Sequence, residues 1–241
     1  MDIKTRGIVL NSIKYSETSV IVKILTERLG LVSYMVNGVR TSKSTAKAAL
    51  LRPLSLLDLD VSHRENKGLQ RLKEYKRAYQ YRSIPFDTLK SFISMFLLEV
   101  ITKSLKEHDT NEELFEFVYE SFIHLDELVA MNNNFHLQFL LHYATYLGFG
   151  LAGQYSIQTP YFDMQEGLFI AEKTMSSAVL GKMESEYISS LFDNPLSQPS
   201  SLNLNRQSRK QLLQTLLKYY QYHLDGFGNL RSPEVLEVLF D

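Results

Sequence analysis

The chain's 6 histidines and 27 acidic residues are where acid–base or metal chemistry would have to come from, since its 241 residues include no cysteine. The histidines are His63, His108, His124, His136, His142 and His223. His136 and His142 stand 6 positions apart, which on a helix turns them to nearly opposite faces and away from a shared metal. The sequence holds no H-E-x-x-H, no G-x-S-x-G elbow and no G-x-x-x-x-G-K-[ST] phosphate loop. Carboxylate pairs such as Glu112/Glu113 and Asp126/Glu127 fall in acidic helical stretches rather than in the apolar surround that makes a general acid. No carboxylate cluster has the metal-binding spacing of a nuclease. The expectation is a protein with no catalytic residue, no metal and no cofactor.

The charges say more. Residues 1–82 carry 16 Lys and Arg against 7 Asp and Glu, a balance of +9, whereas the rest carry 10 against 20, a balance of −10. Between Glu27 and Asp58 there is no acid, while Arg28, Arg40, Lys43, Lys47 and Arg52 are present. Segregation of this kind points to a polyanionic partner for the first part of the chain. Phosphates repeat along any nucleic-acid strand, so spaced cations bind it without reading its sequence. Tyr15, Tyr34, Tyr75 and Tyr79 are aromatics of the same region that could stack on bases.

These side chains need a scaffold, and the first 82 residues read as strands. Gly7–Ile13, Ser19–Leu25 and Leu31–Val36 are dense in β-branched residues, and Thr26–Gly30 is a turn between the latter two, with Gly30 suited to positive φ. Residues 42–51 form a basic loop and short helix stopped by Pro53, placing Arg40, Lys43, Lys47 and Arg52 beside the third strand. Leu54–Val61 and Leu69–Tyr81 complete 5 strands. That order fits a small Greek-key barrel of the OB type, and equally an SH3-like barrel.

From Ser83 the period changes to helix. Phe86, Leu89, Phe92, Ile93, Phe96, Leu97, Val100 and Ile101 make one apolar stripe, with Pro85 at its start. Further helices are expected from Asn111, over Phe135–Leu147, over Ala178–Leu191, over Asn205–Leu224 and after Pro233. Leu216, Tyr220 and Leu224 share a helical face, which makes the Tyr219–Tyr222 run core rather than a stacking patch. The Leu151–Glu172 segment interrupts the helices, and Gln158–Phe162 could pair with Gly167–Ile170. The fold expected is α+β: a five-stranded barrel domain over 1–82 and a helical domain over 83–241 with an irregular insertion at 151–172. With no apolar run of about 20 residues and no signal-peptide order at Met1–Arg6, the expected location is cytoplasmic.

Several strings resemble the RecO family of bacterial DNA repair proteins. They are Gly7-Ile8-Val9-Leu10, Tyr15-Ser16-Glu17-Thr18-Ser19, Leu25-Thr26-Glu27-Arg28-Leu29-Gly30, Val36-Asn37-Gly38-Val39-Arg40 with Lys43-Ser44, and Leu51-Arg52-Pro53-Leu54. Leu147-Gly148-Phe149, Tyr220-Gln221-Tyr222-His223-Leu224 and Leu230-Arg231-Ser232 continue the resemblance. It implies an N-terminal OB fold, a helical domain and no catalytic site. It also implies binding of single- and double-stranded DNA, annealing of complementary strands, and partnership with RecR and single-stranded DNA-binding protein to help RecA load, at the nucleoid. By matching position, DNA contact is carried onto Arg40 and Lys43, and by charge alone onto Lys47 and Arg52. Many family members hold zinc on 4 cysteines after the Leu-Gly-Phe patch. Here the following turn survives as Tyr161–Phe169 without a thiol, so no zinc is expected. The alternative is a protein–protein adaptor whose basic barrel binds an acidic partner protein.

Overall fold

The computed structural model describes residues 1–39, 44–64, 67–107, 109–130, 132–198 and 202–233. Arg40 and Lys43, and the helix expected after Pro233, lie outside the described residues. The chain divides into two compact units, Met1–Asp126 and Glu127–Asp241.

The first unit opens with 5 strands, β1 (Asp2–Lys14), β2 (Val20–Thr26), β3 (Gly30–Val36), β4 (Leu56–Ser62) and β5 (Leu69–Arg77), with a short helix α1 (Thr45–Leu50) between β3 and β4. They close in the order β1-β2-β3-β5-β4, the Greek-key order of the OB fold. The long β1 serves both neighbours, pairing with β4 through its first half and with β2 through its second. Gly7 sits where the two pairings overlap, and a Cβ there would lie 2.5 Å from Leu59 and 2.7 Å from Ile24. Closure rests on a parallel β3–β5 seam of only 3 residue pairs, Ser33–Leu69, Tyr34–Gln70 and Met35–Arg71. Inside lie Val9, Val22, Ile24, Tyr34, Leu57 and Leu59, with Leu51 plugging the barrel beside α1. Gly30 has φ +64° as the turn demands, and a Cβ would also come within 2.3 Å of the Asp109 carbonyl oxygen.

Helices α2 (Thr88–Ser104) and α3 (Glu112–Glu127) follow. Pro85 does not start α2. It belongs to the preceding turn, and Asp87 caps the helix by accepting from the Lys90 amide at 3.0 Å. Phe86 therefore falls outside the apolar stripe and is 85% exposed. Asn111 caps α3 at 2.9 Å from the Leu114 amide, and Glu112 and Glu113 sit in its first turn. Arg6 of β1 ties α3 to the barrel: it grips Glu27 at 2.8 Å and Glu116 at 2.5 Å, and lies 4.9 Å over the Tyr119 ring. The Asp126 side chain gathers the Arg82, Ser83 and Ile84 amides, each at 2.8 Å, and so fixes the link between barrel and helices. Burial opposes its ionisation, but these donors prevail and hold the carboxyl below its usual pKa.

The second unit contains α4 (Phe135–Tyr146), a two-stranded sheet of β6 (Tyr161–Asp163) and β7 (Leu168–Ile170), α5 (Lys182–Phe192) and α6 (Arg206–His223). The hairpin within the insertion forms as its sequence suggests. Residues 178–180 do not join α5: the Leu180 amide donates to the Phe162 carbonyl at 2.9 Å and the Met164 amide to the Ala178 carbonyl at 3.0 Å, so this stretch runs along the hairpin. Tyr219 and Tyr220 are buried, as the stripe on α6 requires. Among the described residues no helix is long and apolar enough to cross a membrane.

Candidate nucleic-acid interface

The weak seam of the barrel is also where its cations gather. A groove opens along β3 and β5, floored by the half-buried Met35 and Leu69 and bordered by Lys47, Arg64, Lys67, Arg71 and Lys73, with Glu74 as the single acid among the described residues of its lining. Lys47 comes from α1, Arg64 and Lys67 from the β4–β5 connection, Arg71 and Lys73 from β5, and all are exposed. Lys73 is engaged by Asp2 at 2.5 Å; none of the other 4 has an ion-pair partner among the described residues.

Local structure holds these side chains in place. Gln70 is buried beneath the β4–β5 connection, accepting from the Arg64 amide at 2.9 Å and donating to the Arg64 and Lys67 carbonyls at 2.8 and 2.5 Å. One buried amide thus shapes the loop that carries 2 of the cations. Asp60 pairs with Glu74 and Val61 with Leu72, so Lys73 is the extra residue of a β-bulge. Tyr75 donates from its hydroxyl to the Lys47 carbonyl at 3.4 Å, joining β5 to α1 across the groove. A neighbouring depression over β1, β4 and β5 is different in kind. Lys4, Arg6, Arg28 and Lys76 there are matched by Glu27, Asp58, Asp60 and Glu74.

The residues singled out from the sequence are distributed unevenly about this groove. Lys47 borders it, whereas Arg52 is exposed on the turn after α1 and does not line it. Among the tyrosines, Tyr34 cannot stack on a base. It is 0% exposed in the barrel core, where burial raises its phenol pKa. Tyr75 is half-buried at the groove, Tyr15 is 60% exposed, and Tyr79 donates to Asp126 at 3.1 Å. Arg64, Lys67, Arg71 and Lys73 were not singled out, although Arg71 and Lys73 alternate with the buried Gln70 and Leu72 as outward strand positions must.

Among the described residues of the second unit, no ligand set fits the zinc that the resemblance brings into question. The insertion has no thiol, and the His223 Nε2 is already within 2.9 Å of the Met164 carbonyl, with its ring stacked on Phe149. Among the described residues no group of 3 or more His, Asp or Glu stands close enough together to hold a metal ion. Aromatic packing takes that place. Phe162 and Phe169 face each other across the hairpin at 5.0 Å, Phe162 meets Tyr219 at 5.6 Å, and the Tyr219 hydroxyl donates to the Phe149 carbonyl.

Residues 1–81 match the family model "Recombination protein O N terminal", and residues 85–233 match "Recombination protein O C terminal". The chain is 38% identical to a DNA repair protein RecO of Flavobacterium psychrophilum over 241 residues, covering 100% of both chains. It is 34% identical to that of Phocaeicola vulgatus over 237 residues, covering 98% of each, and 36% identical to that of Flavobacterium johnsoniae over all of both chains. With an OB barrel at its front and helices behind, and with both halves matched, the chain belongs to the RecO family.

Proposed function

We propose that this protein is a DNA repair protein acting as a non-catalytic recombination mediator at the nucleoid. In this reading it binds single- and double-stranded DNA without sequence preference, anneals complementary strands and, with RecR, helps RecA load on single strands covered by their binding protein. The barrel domain of residues 1–82 handles DNA and the helical domain of residues 83–241 docks proteins. The observation that carries the reading is the cationic groove at the β3–β5 seam. Its cations are spaced along one strand, one loop and the short helix α1, as a repeating phosphate backbone requires, and its floor is apolar. Lys47, Arg64, Lys67 and Arg71 supply the central phosphate contacts; Arg40 and Lys43 are further DNA contacts by the family resemblance, and Arg52 by its charge. A surface that holds two strands at once lowers their mutual repulsion and raises their local concentration, which is what annealing needs.

The direct test is a mobility-shift titration at several salt concentrations. Lys47→Gln with Arg71→Gln removes two phosphate contacts, so the slope of log affinity against log salt for a mixed-sequence single strand should become shallower by about 1.4. An unchanged slope would remove these residues from the interface. Competition by the same oligonucleotide separates this reading from an adaptor that binds an acidic protein on the barrel, since only a shared DNA surface is emptied by it.

A further inference from the structure

The end of β3 leads into a reactive dipeptide. Asn37-Gly38 is the only asparagine followed by glycine in the chain. Both residues are exposed, and both belong to the lining of the seam groove. The backbone demands glycine here, since Gly38 has φ +71°. A Cβ on Gly38 would meet nothing within 4 Å, so its peptide nitrogen stands beside open space with no side chain to shield it. The residue type that the turn requires is thus the one that leaves the Asn37 side chain open to attack by the next amide.

Hydrogen bonding favours that attack. The Gly38 amide makes no hydrogen bond among the described residues. The atoms around it are held. The Val39 amide donates to the Thr18 carbonyl at 3.0 Å, and the Ser19 hydroxyl donates to the Asn37 Oδ1 at 2.9 Å. Ser19 is itself buried, with its own amide donating to the Ser16 hydroxyl oxygen at 3.2 Å. A fixed donor on Oδ1 draws electrons from Cγ and meets the negative charge that develops on the oxygen. Lys47, Arg64, Lys67 and Arg71 border the same groove, and their charge favours loss of a proton from the attacking nitrogen. Other asparagines lack this combination. Asn111 and Asn205 spend their side chains on helix caps, Asn134 Oδ1 accepts from Arg209, and Asn194 precedes Pro195, whose nitrogen carries no proton.

From these observations we infer that Asn37 is a site of spontaneous deamidation, and that its product places a carboxylate in the cationic groove and weakens the grip of the groove on a polyanion. The step needs only water. The Gly38 amide gives its proton to solvent, and its nitrogen forms a bond to the Asn37 Cγ. The electron pair of the C=O moves to Oδ1, where the Ser19 hydroxyl steadies it. Its return breaks the Cγ–Nδ2 bond, and the nitrogen leaves as ammonia after taking a proton from solvent. Water then opens the cyclic imide at either carbonyl, giving Asp or isoAsp at position 37. Overall an amide and a water become a carboxylate and an ammonium ion.

The consequence follows from where the pair lies. Glu74 is the single acid among the described residues of the groove lining, so one new carboxylate doubles the negative charge set against its cations. It offsets about one phosphate contact. A strand lying in the groove covers Asn37 and Gly38 and keeps water and base from them, so the engaged protein retains the asparagine while the idle one loses it. The modification itself stands apart from the DNA reading, whereas the loss of grip and the protection by a bound strand rest on it.

The test is to age the full-length protein at mildly alkaline pH and follow each asparagine by peptide mass mapping. Trypsin cuts after Arg28 and Arg40, and the peptide 29–40 holds Asn37 as its only amide side chain. Asn37 should convert to an Asp and isoAsp pair at least tenfold faster than any other asparagine. Ser19→Ala should slow the conversion, because the donor on Oδ1 is lost; a hydroxyl that merely stiffened the loop would give the opposite sign. A saturating mixed-sequence single strand should slow it as well. Asn37→Asp, a fixed stand-in for one product at an exposed position, should flatten the slope of log affinity against log salt by about 0.7. Asn37→Gln should leave that slope unchanged. The inference is overturned if Asn37 converts no faster than the other asparagines, or if Ser19→Ala speeds the conversion. It is equally overturned if Asn37→Asp binds the strand like the parent while Lys47→Gln with Arg71→Gln does not. If neither variant moves the slope, the DNA reading fails and the loss of grip falls with it, whereas the mapped conversion is unaffected.

Discussion

At the residue scale, one buried and one half-buried group show how local environment decides stability. His136 is fully buried on α4, and desolvation, with the nearby Arg209 charge adding to it, pushes its pKa down to about 3. In the unfolded chain its imidazole takes a proton near pH 6.5. Between those values the unfolded state binds the extra proton, so stability is full above pH 6.5 and drains away as pH falls toward 3, by up to about 1.4 kcal/mol per pH unit. Urea denaturation across this range should show the fall, and His136→Gln should flatten it relative to the parent. Arg6 makes the complementary case. Its guanidinium is half-enclosed between two carboxylates and two rings, and the hydrogen bond from Arg6 holds the Glu27 pKa down. Arg6→Met keeps the aliphatic stem and removes the fork, so it should cost about 1–3 kcal/mol by chemical denaturation. A loss below about 0.5 kcal/mol would mean the ion pairs are screened like ordinary surface pairs.

At the scale of elements, the sequence carried most of the barrel. Alternating and β-branched runs marked the five strands, and Thr26–Gly30 marked the turn that the Gly30 φ and the Thr26 hydroxyl bond to the Gly30 carbonyl both realise. What periodicity could not separate was an OB from an SH3-like barrel, because that difference lies in which strands pair. The parallel β3–β5 seam is a long-range fact with no local signature. The same holds for the groove. Lys47 was legible from charge, whereas Arg64 and Lys67 join it only because Gln70 folds their loop against the seam. Tyr34 was misleading for a plain reason: a strand residue shows which face it occupies only once its register is known. The displaced starts of α2 and α5 have separate causes, a capping Asp87 in one and a backbone pairing with the β6–β7 hairpin in the other. That hairpin is held by its aromatic rings and carbonyl contacts, so extensive dialysis against EDTA should leave the melting temperature unchanged. A fall of several degrees on chelation, reversed by zinc, would contradict the aromatic account.

At the scale of the whole molecule, charge is divided along the chain, +9 over residues 1–82 and −10 over the remainder. The barrel's share is in turn divided: the depression over β1, β4 and β5 is balanced, while the seam groove is bordered by 5 cations against Glu74 among the described residues of its lining. This arrangement suits a protein that meets nucleic acid with one part and proteins with others. The central claim is that the seam groove holds the strands being joined. The measurement that reaches it most directly is the annealing rate of two complementary oligonucleotides, bare and coated with single-stranded DNA-binding protein, with the parent and with a Lys47→Gln, Arg64→Gln, Arg71→Gln variant of unchanged melting temperature. The account predicts acceleration by the parent and, in the variant, loss of at least nine-tenths of that acceleration. Equal acceleration by parent and variant, or none by either, would contradict it.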